Sequence, residues 1–150
     1  MKLVLKVLEG GRRAYLNPSK AEGHILDHRQ VAMFMRRIVR REKREVFCVF
    51  LLDNRNRIYR ADVVSLGTVN GTLVHPREVF SSAIQHRATA IICSHNHPSG
   101  TIEPSQDDIE LTCRLAEAGK IVGIELLDHV IIAGRQAYSF REHGLVCVRR

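Results

Sequence analysis

Apolar residues recur along this chain with two different spacings. Val31, Phe34, Met35, Ile38 and Val39 fall three and four apart, the period of one face of an α-helix, and predict a helix over 29–41. The run Val46-Phe47-Cys48-Val49-Phe50-Leu51-Leu52 is apolar at every position, which is strand-like. It predicts a strand over 45–53, and a second over 57–66 joined to it by the turn Asp53-Asn54-Arg55-Asn56. Pro76 opens a helix over 76–86, since the first helical position needs no amide hydrogen. Ala88 to Ser94 is a short apolar strand-like run. From Ser105 the helical spacing returns at Ile109, Leu111, Thr112, Leu115 and Ala116, with Gly119 as its expected close. Residues 125–133 and 136–140 predict a final hairpin across Gly134-Arg135. Residues 2–8 read as a strand and 10–27 as a loop-rich lead-in. Helices interspersed with strands that pair through short turns predict an α+β sandwich.

Composition narrows the class. A chain of 150 residues is most simply one domain with one core. Trp is absent and aromatic residues make up 5%, so aliphatic side chains must build that core. No apolar run approaches the roughly twenty residues that span a bilayer. The N-terminal run Leu3-Val4-Leu5-Lys6-Val7-Leu8 is too short and interrupted for a signal peptide, so a cytoplasmic location is expected. Cys48, Cys93, Cys113 and Cys147 are widely spaced and read as small buried hydrophobes in a reducing compartment.

The chemistry concentrates in His95-Asn96-His97-Pro98-Ser99-Gly100 and Ser105-Gln106-Asp107-Asp108. Residues two apart on an extended chain point to one side, so His95 and His97 can face a common ion. Asp108 falls in the first turn of the next helix, where the exposed amides favour an anion. Two imidazoles and a carboxylate are ligands suited to Zn²⁺, and three protein ligands leave a position for water, which the metal converts into a hydrolytic nucleophile. Ser105 and Asp108 also have the spacing of a capping box, and one carboxylate can serve both roles. Cys93 shares a strand face with His95, but a fourth protein ligand would close the site. Asn96 points the other way and is expected to hold the loop.

His95-x-His97-Pro98, six residues, then Ser105-x-x-Asp108 resembles the JAMM motif of the MPN/JAB1 metallopeptidase superfamily. The likeness is nearer to its bacterial RadC-type JAB-domain branch. It extends through Phe50-Leu51-Leu52-Asp53, Gly67-Thr68-Val69-Asn70 and Leu126-Leu127-Asp128-His129-Val130-Ile131-Ile132, so it covers roughly residues 31–146. It implies an MPN/JAB-like (cytidine-deaminase-like) sandwich of a mixed, largely antiparallel sheet with flanking helices, over 31–150, after a lead-in of residues 1–30. RadC-type proteins often carry an N-terminal helical segment of DNA-binding type, and with about thirty residues before the JAB part that segment is expected to be absent here. The resemblance further implies Zn²⁺ on His95, His97 and Asp108, a peptide or protein substrate, and a glutamate before a core strand as general base. Glu45 matches that position, with Glu42 as the neighbouring alternative. It also gives Ser105 a hydroxyl that steadies the oxyanion. Asp128 and His129 could stand behind the ligands or form a buried polar pair.

Charge is the second signal. Lys and Arg number 23 against 16 for Asp and Glu. Arg36, Arg37, Arg40, Arg41, Lys43 and Arg44 cluster around the end of the first predicted helix. Such a patch attracts nucleic-acid phosphates, or is a solvated face with cations favoured at a helix C-terminus. Three function classes follow: a zinc hydrolase of peptide or isopeptide bonds, a metal-dependent nuclease or DNA-maintenance factor, and a metal-binding module acting through partners.

Overall fold

The computed structural model describes residues 27–67 and 74–146 in full, together with the backbone of two N-terminal strands. Strands β1 (Val4–Val7), β2 (Arg13–Leu16), β3 (Val46–Leu52), β4 (Ile58–Leu66), β5 (Ala90–Asn96), β6 (Glu125–Ala133) and β7 (Gln136–Ser139) form one sheet, in the order β1-β2-β4-β3-β5-β6-β7. Helices α1 (His28–Ile38), α2 (Pro76–Gln85) and α3 (Gln106–Val122) complete the described elements. Only β5 and β6 run parallel; the other pairs are antiparallel. The fold is α+β, as the pattern predicts, and its sheet is mixed and largely antiparallel with flanking helices, as the resemblance implies.

The apolar run of β3 is buried at every position because its two faces meet different layers. Cys48, Phe50 and Leu52 pack under α1, against Val31, Phe34, Met35 and Ile38. Phe47, Val49 and Leu51 face the opposite way, toward Val79 and Phe80 of α2 and Leu115 and Ala116 of α3. The sheet is thus covered on both sides, which central, doubly buried strands require.

Several boundaries differ from the expectation, each for a physical reason. The lead-in contains β2, whose four residues have no pattern of their own and are held by pairing with β1 and β4. Helix α1 ends at Ile38 rather than at residue 41, because the chain must become extended to enter β3. Helix α3 runs past Gly119 to Val122 and is closed by Gly123 at φ 76°, whose left-handed backbone suits a glycine C-cap. Gly119 serves packing instead: a β-carbon there would collide with the Ile124 carbonyl oxygen and lie 3.3 Å from the Phe80 ring. The predicted turn at Asp53 is present, with its carboxylate accepting the Arg55 and Arg57 amides at 2.8 and 3.0 Å.

Cys48 and Cys93 are buried, as expected, but Cys113 is disulfide-bonded. Cys147 and residues 68–70 of the Gly67-Asn70 segment lie outside the described residues. No helix among the described residues is long and apolar enough to cross a membrane.

Candidate metal centre

The site forms where the parallel pair β5–β6 meets the start of α3. His95 lies near the end of β5 and is 1% exposed. His97 follows the strand, and its amide still donates to the Ile132 carbonyl of β6, at 2.8 Å. The chain then turns, with Gly100 at φ 86° donating its amide to the His97 carbonyl. That left-handed conformation costs glycine least. The loop delivers Ser105 to the N-cap of α3 and Asp108 to its first turn.

Three ligand atoms converge there. His95 Nε2 and His97 Nε2 are 3.0 Å apart, and each stands 3.3 Å from one oxygen of Asp108. Zinc–ligand distances of about 2.0–2.1 Å in a tetrahedron imply ligand–ligand edges of about 3.3 Å. The two histidine contacts fall on different Asp108 oxygens, and one atom from each residue lies within 4.8 Å of the others, close enough for a single ion. Among the described residues, no other group of three His, Cys, Asp or Glu side chains is gathered closely enough to hold a metal. Cys93 stays outside the group, and burial pushes its thiol up, away from the thiolate a metal needs.

The electrostatics follow from the same contacts. Hydrogen bonding to Asp108 raises the pKa of His97 above its ordinary value, against the opposing effect of burial. The Thr101 carbonyl and the charge of Glu45 add to the rise. Burial pushes the Asp108 carboxyl up, but its contacts with the His95 and His97 rings outweigh it and hold the group well below the usual carboxylate range. Both readings of Ser105 and Asp108 are compatible with this geometry. The capping box is present, with the Asp108 amide donating to Ser105 Oγ at 3.1 Å and the Ser105 amide donating to Asp108 Oδ2 at 2.9 Å. The same carboxylate faces the histidines, and Ser105 Oγ–H keeps its own proton free of that cap bond.

Glu45 stands immediately before β3, half-buried, and lines one groove with His95 and Asp108. The groove, of about 290 Å³, is walled by Phe47, Val74 and Leu111 and rimmed by Asp107, Glu110 and Arg114. Glu42 does not line it. Its carboxylate is held by the Arg44 guanidinium at 2.8 and 3.0 Å, which lowers its pKa to about 2. A carboxylate so committed is a poor proton acceptor.

Asn96 holds a different segment from the one expected. Its Oδ1 accepts the Val46 amide at 2.6 Å, and its Nδ2 donates to the Arg44 carbonyl at 3.1 Å. It thus clamps the chain on both sides of Glu45. Asp128 and His129 part company, because neighbours on a strand point to opposite faces. Asp128 accepts the His129 and Arg141 amides and the Ser139 hydroxyl, tying β6 to the chain after β7. Burial raises its pKa despite those donors. His129 is fully buried behind the site, with Nε2 2.8 Å from His95 Nδ1. The strand pattern could have separated the pair, but the contact with His95 spans two strands and has no local signal.

Comparison with known proteins adds the lineage. The family model described as "RadC-like JAB domain" matches residues 25–145. A UPF0758 protein of Rubrobacter xylanophilus is 42% identical over 144 residues, covering 96% of this chain and 63% of its own length. One from Trichlorobacter lovleyi is 49% identical over 117 residues, 78% of this chain and 51% of its own. A third, from Halalkalibacterium halodurans, is 42% identical over 137 residues, 91% of this chain and 59% of its own. The chain thus spans between half and two thirds of the length of these curated relatives.

Proposed function

The chain belongs to the RadC-like JAB domain family, and on that premise we propose that it is a zinc-dependent hydrolase of JAMM type, opening a peptide or isopeptide bond with water. The observation that carries the reading is the convergence of His95, His97 and Asp108 at 3.0–3.3 Å beside a groove that Glu45 lines. His95, His97 and Asp108 would hold the ion, which when bound lowers the pKa of a water and polarises a carbonyl.

The chain's own residues supply the rest. Glu45 takes the proton of the attacking water as its oxygen bonds to the carbonyl carbon, then passes it to the amine as the C–N bond breaks. The Ser105 hydroxyl donates to the oxygen on which negative charge develops. Asn96 keeps Glu45 in place through the backbone of Arg44 and Val46. The single three-ligand group among the described residues favours amide over phosphodiester chemistry, because in-line phosphodiester cleavage often uses two ions about 3.5–4 Å apart.

Metal analysis combined with activity screening on peptide, isopeptide and DNA substrates tests the reading. One zinc per chain is expected. His97→Ala or Asp108→Ala should lose most of it, while Asn96→Ala should keep it. Full zinc content in the double variant of His97 and Asp108 would sink the site assignment. Chelator-sensitive DNA cleavage that vanishes in His95→Ala and Glu45→Gln would replace the peptidase reading with a nuclease one.

A further inference from the structure

His95 has its second ring nitrogen engaged inside the protein, and the chain of contacts behind it ends on a group of known polarity. The Thr112 hydroxyl is buried and lies 2.6 Å from the Asp108 carbonyl oxygen and 2.7 Å from His129 Nδ1. A carbonyl oxygen can only accept. The hydroxyl therefore spends its one proton on Asp108 and must accept from His129. That places a proton on His129 Nδ1 and a lone pair on His129 Nε2. His95 Nδ1, 2.8 Å from that lone pair, must then carry a proton in turn. The remaining lone pair of His95, on Nε2, is directed at His97 and Asp108.

We propose that Thr112 and His129 are positioning residues that lock His95 in the Nδ1–H tautomer, so that its Nε2 is always presented as a ligand to a divalent metal. The proposal rests on the metal-centre reading given above and extends it to groups that touch no substrate. His97 reaches the same state by a shorter route, since its Nδ1 donates directly to the Thr101 carbonyl at 2.7 Å. The reversed relay would set the Thr112 and Asp108 oxygens 2.6 Å apart with no proton between them. It would also put a proton on His95 Nε2, where the metal must sit. Packing keeps the relay in register. The His129 ring stacks on Phe140 with centroids 4.8 Å apart and meets Phe47 edge-on at 5.5 Å, while Phe47 stacks on His95 at 5.9 Å. Thr112 lies one helical turn beyond Asp108, so the relay also ties the ring of one ligand to the backbone of another.

The test pairs a spectroscopic readout with metal affinity. Long-range ¹⁵N–¹H spectra of the chelated wild-type protein, at mildly alkaline pH where imidazoles are neutral, should show His95 and His129 both protonated at Nδ1. Thr112→Ser keeps the hydroxyl and should leave the tautomers and the zinc dissociation constant as in wild type. Thr112→Val keeps the shape and loses the acceptor. It should place a proton on His95 Nε2 in part of the population and weaken zinc binding by about 10–100-fold. His95 found with its proton on Nε2 in the wild type overturns the proposal. So does Thr112→Val with wild-type tautomers and wild-type affinity. A wild-type protein that binds no zinc would refute the hydrolase reading, whereas the tautomer spectra would still decide this one. If Thr112→Val does not fold, the wild-type spectra and Thr112→Ser decide alone.

Discussion

Two glutamates three residues apart have different fates, and the cause is their hydrogen-bond partners. Glu42 is bound by Arg44, whereas Glu45 lines the groove beside the ligand group. Glu45→Gln should therefore retain zinc and lose about a hundred- to ten-thousand-fold in rate, the usual worth of a positioned proton acceptor. Glu42→Gln should stay active. Asn96→Ala should keep zinc yet lose part of the rate, because the clamp on Arg44 and Val46 is gone. Steady-state kinetics with metal analysis separate the three, and a fully active Glu45→Gln beside a dead Glu42→Gln would reverse the assignment. His97 adds a pH dependence. Its pKa is raised, so protons compete for Nε2 already above the ordinary histidine value of about 6.5. Zinc affinity should fall as pH drops through that raised value, in competition titrations across the range. In the chelated protein the sign for stability is opposite. The His97 contribution is complete below the unfolded value of about 6.5 and is lost as pH rises through the folded one. Affinity that holds constant until well below pH 6 would contradict both statements.

At the scale of elements, α3 carries most of the design. Its N-terminus is pinned by the reciprocal Ser105–Asp108 box, which also aims the carboxylate at the histidines. Its C-terminus is stopped by Gly123 with the Ile124 amide donating to the Gly119 carbonyl at 3.0 Å. Between them Gly119 allows close approach of the helix to Ile124 and Phe80. Gly119→Ala should destabilise the fold. Overpacking costs about 1–3 kcal/mol, more than the helix-propensity gain of up to about 1 kcal/mol. Denaturant unfolding measures the difference, and a stabilised variant would show that α3 can shift freely on the sheet. The helix boundaries at Pro76 and Ser105 were readable because caps are local signals. The end of α1 was not, since it depends on where β3 must begin.

Across the whole molecule, the basic residues divide into groups that hold structure and groups that are exposed. Arg36, counted in the basic cluster, donates to the carbonyls of Gly134, Arg135 and Gln136 at 2.8–3.2 Å and buttresses the β6–β7 turn. Arg44 is paired with Glu42, while Arg40, Arg41 and Lys43 are exposed. If the protein contacts nucleic acid through this face, binding should weaken steeply with salt, depend on Arg40 and Arg41, and persist after zinc removal. Arg36→Ala should instead lower thermal stability, by about 1 kcal/mol for a partly exposed hydrogen-bonded cation. Filter binding at several salt concentrations and thermal melts check the two halves. Zinc-dependent binding, or Arg36→Ala with an unchanged melt, would remove the corresponding half.

What the chain by itself determined was local. The candidate ligands His95, His97 and Asp108 and their spacing were legible, because a strand end, a Pro-Ser-Gly break and a capped helix start are written in adjacent residues. The seven-residue apolar run of β3 likewise announced a strand, while its burial on both faces came from the layers packed against it. Tertiary structure decided everything that depends on contacts between distant positions. Asn96 meets Val46 across 50 residues, His129 meets His95 across 34, and Arg36 meets Gly134 across 98. No period or cap encodes such pairings. They exist only once β3, β5 and β6 lie side by side and α1 covers the far end of the sheet. That assembly separates Glu45 from Glu42, puts His129 behind a ligand and Asp128 on the opposite face, and commits a cation to holding a turn.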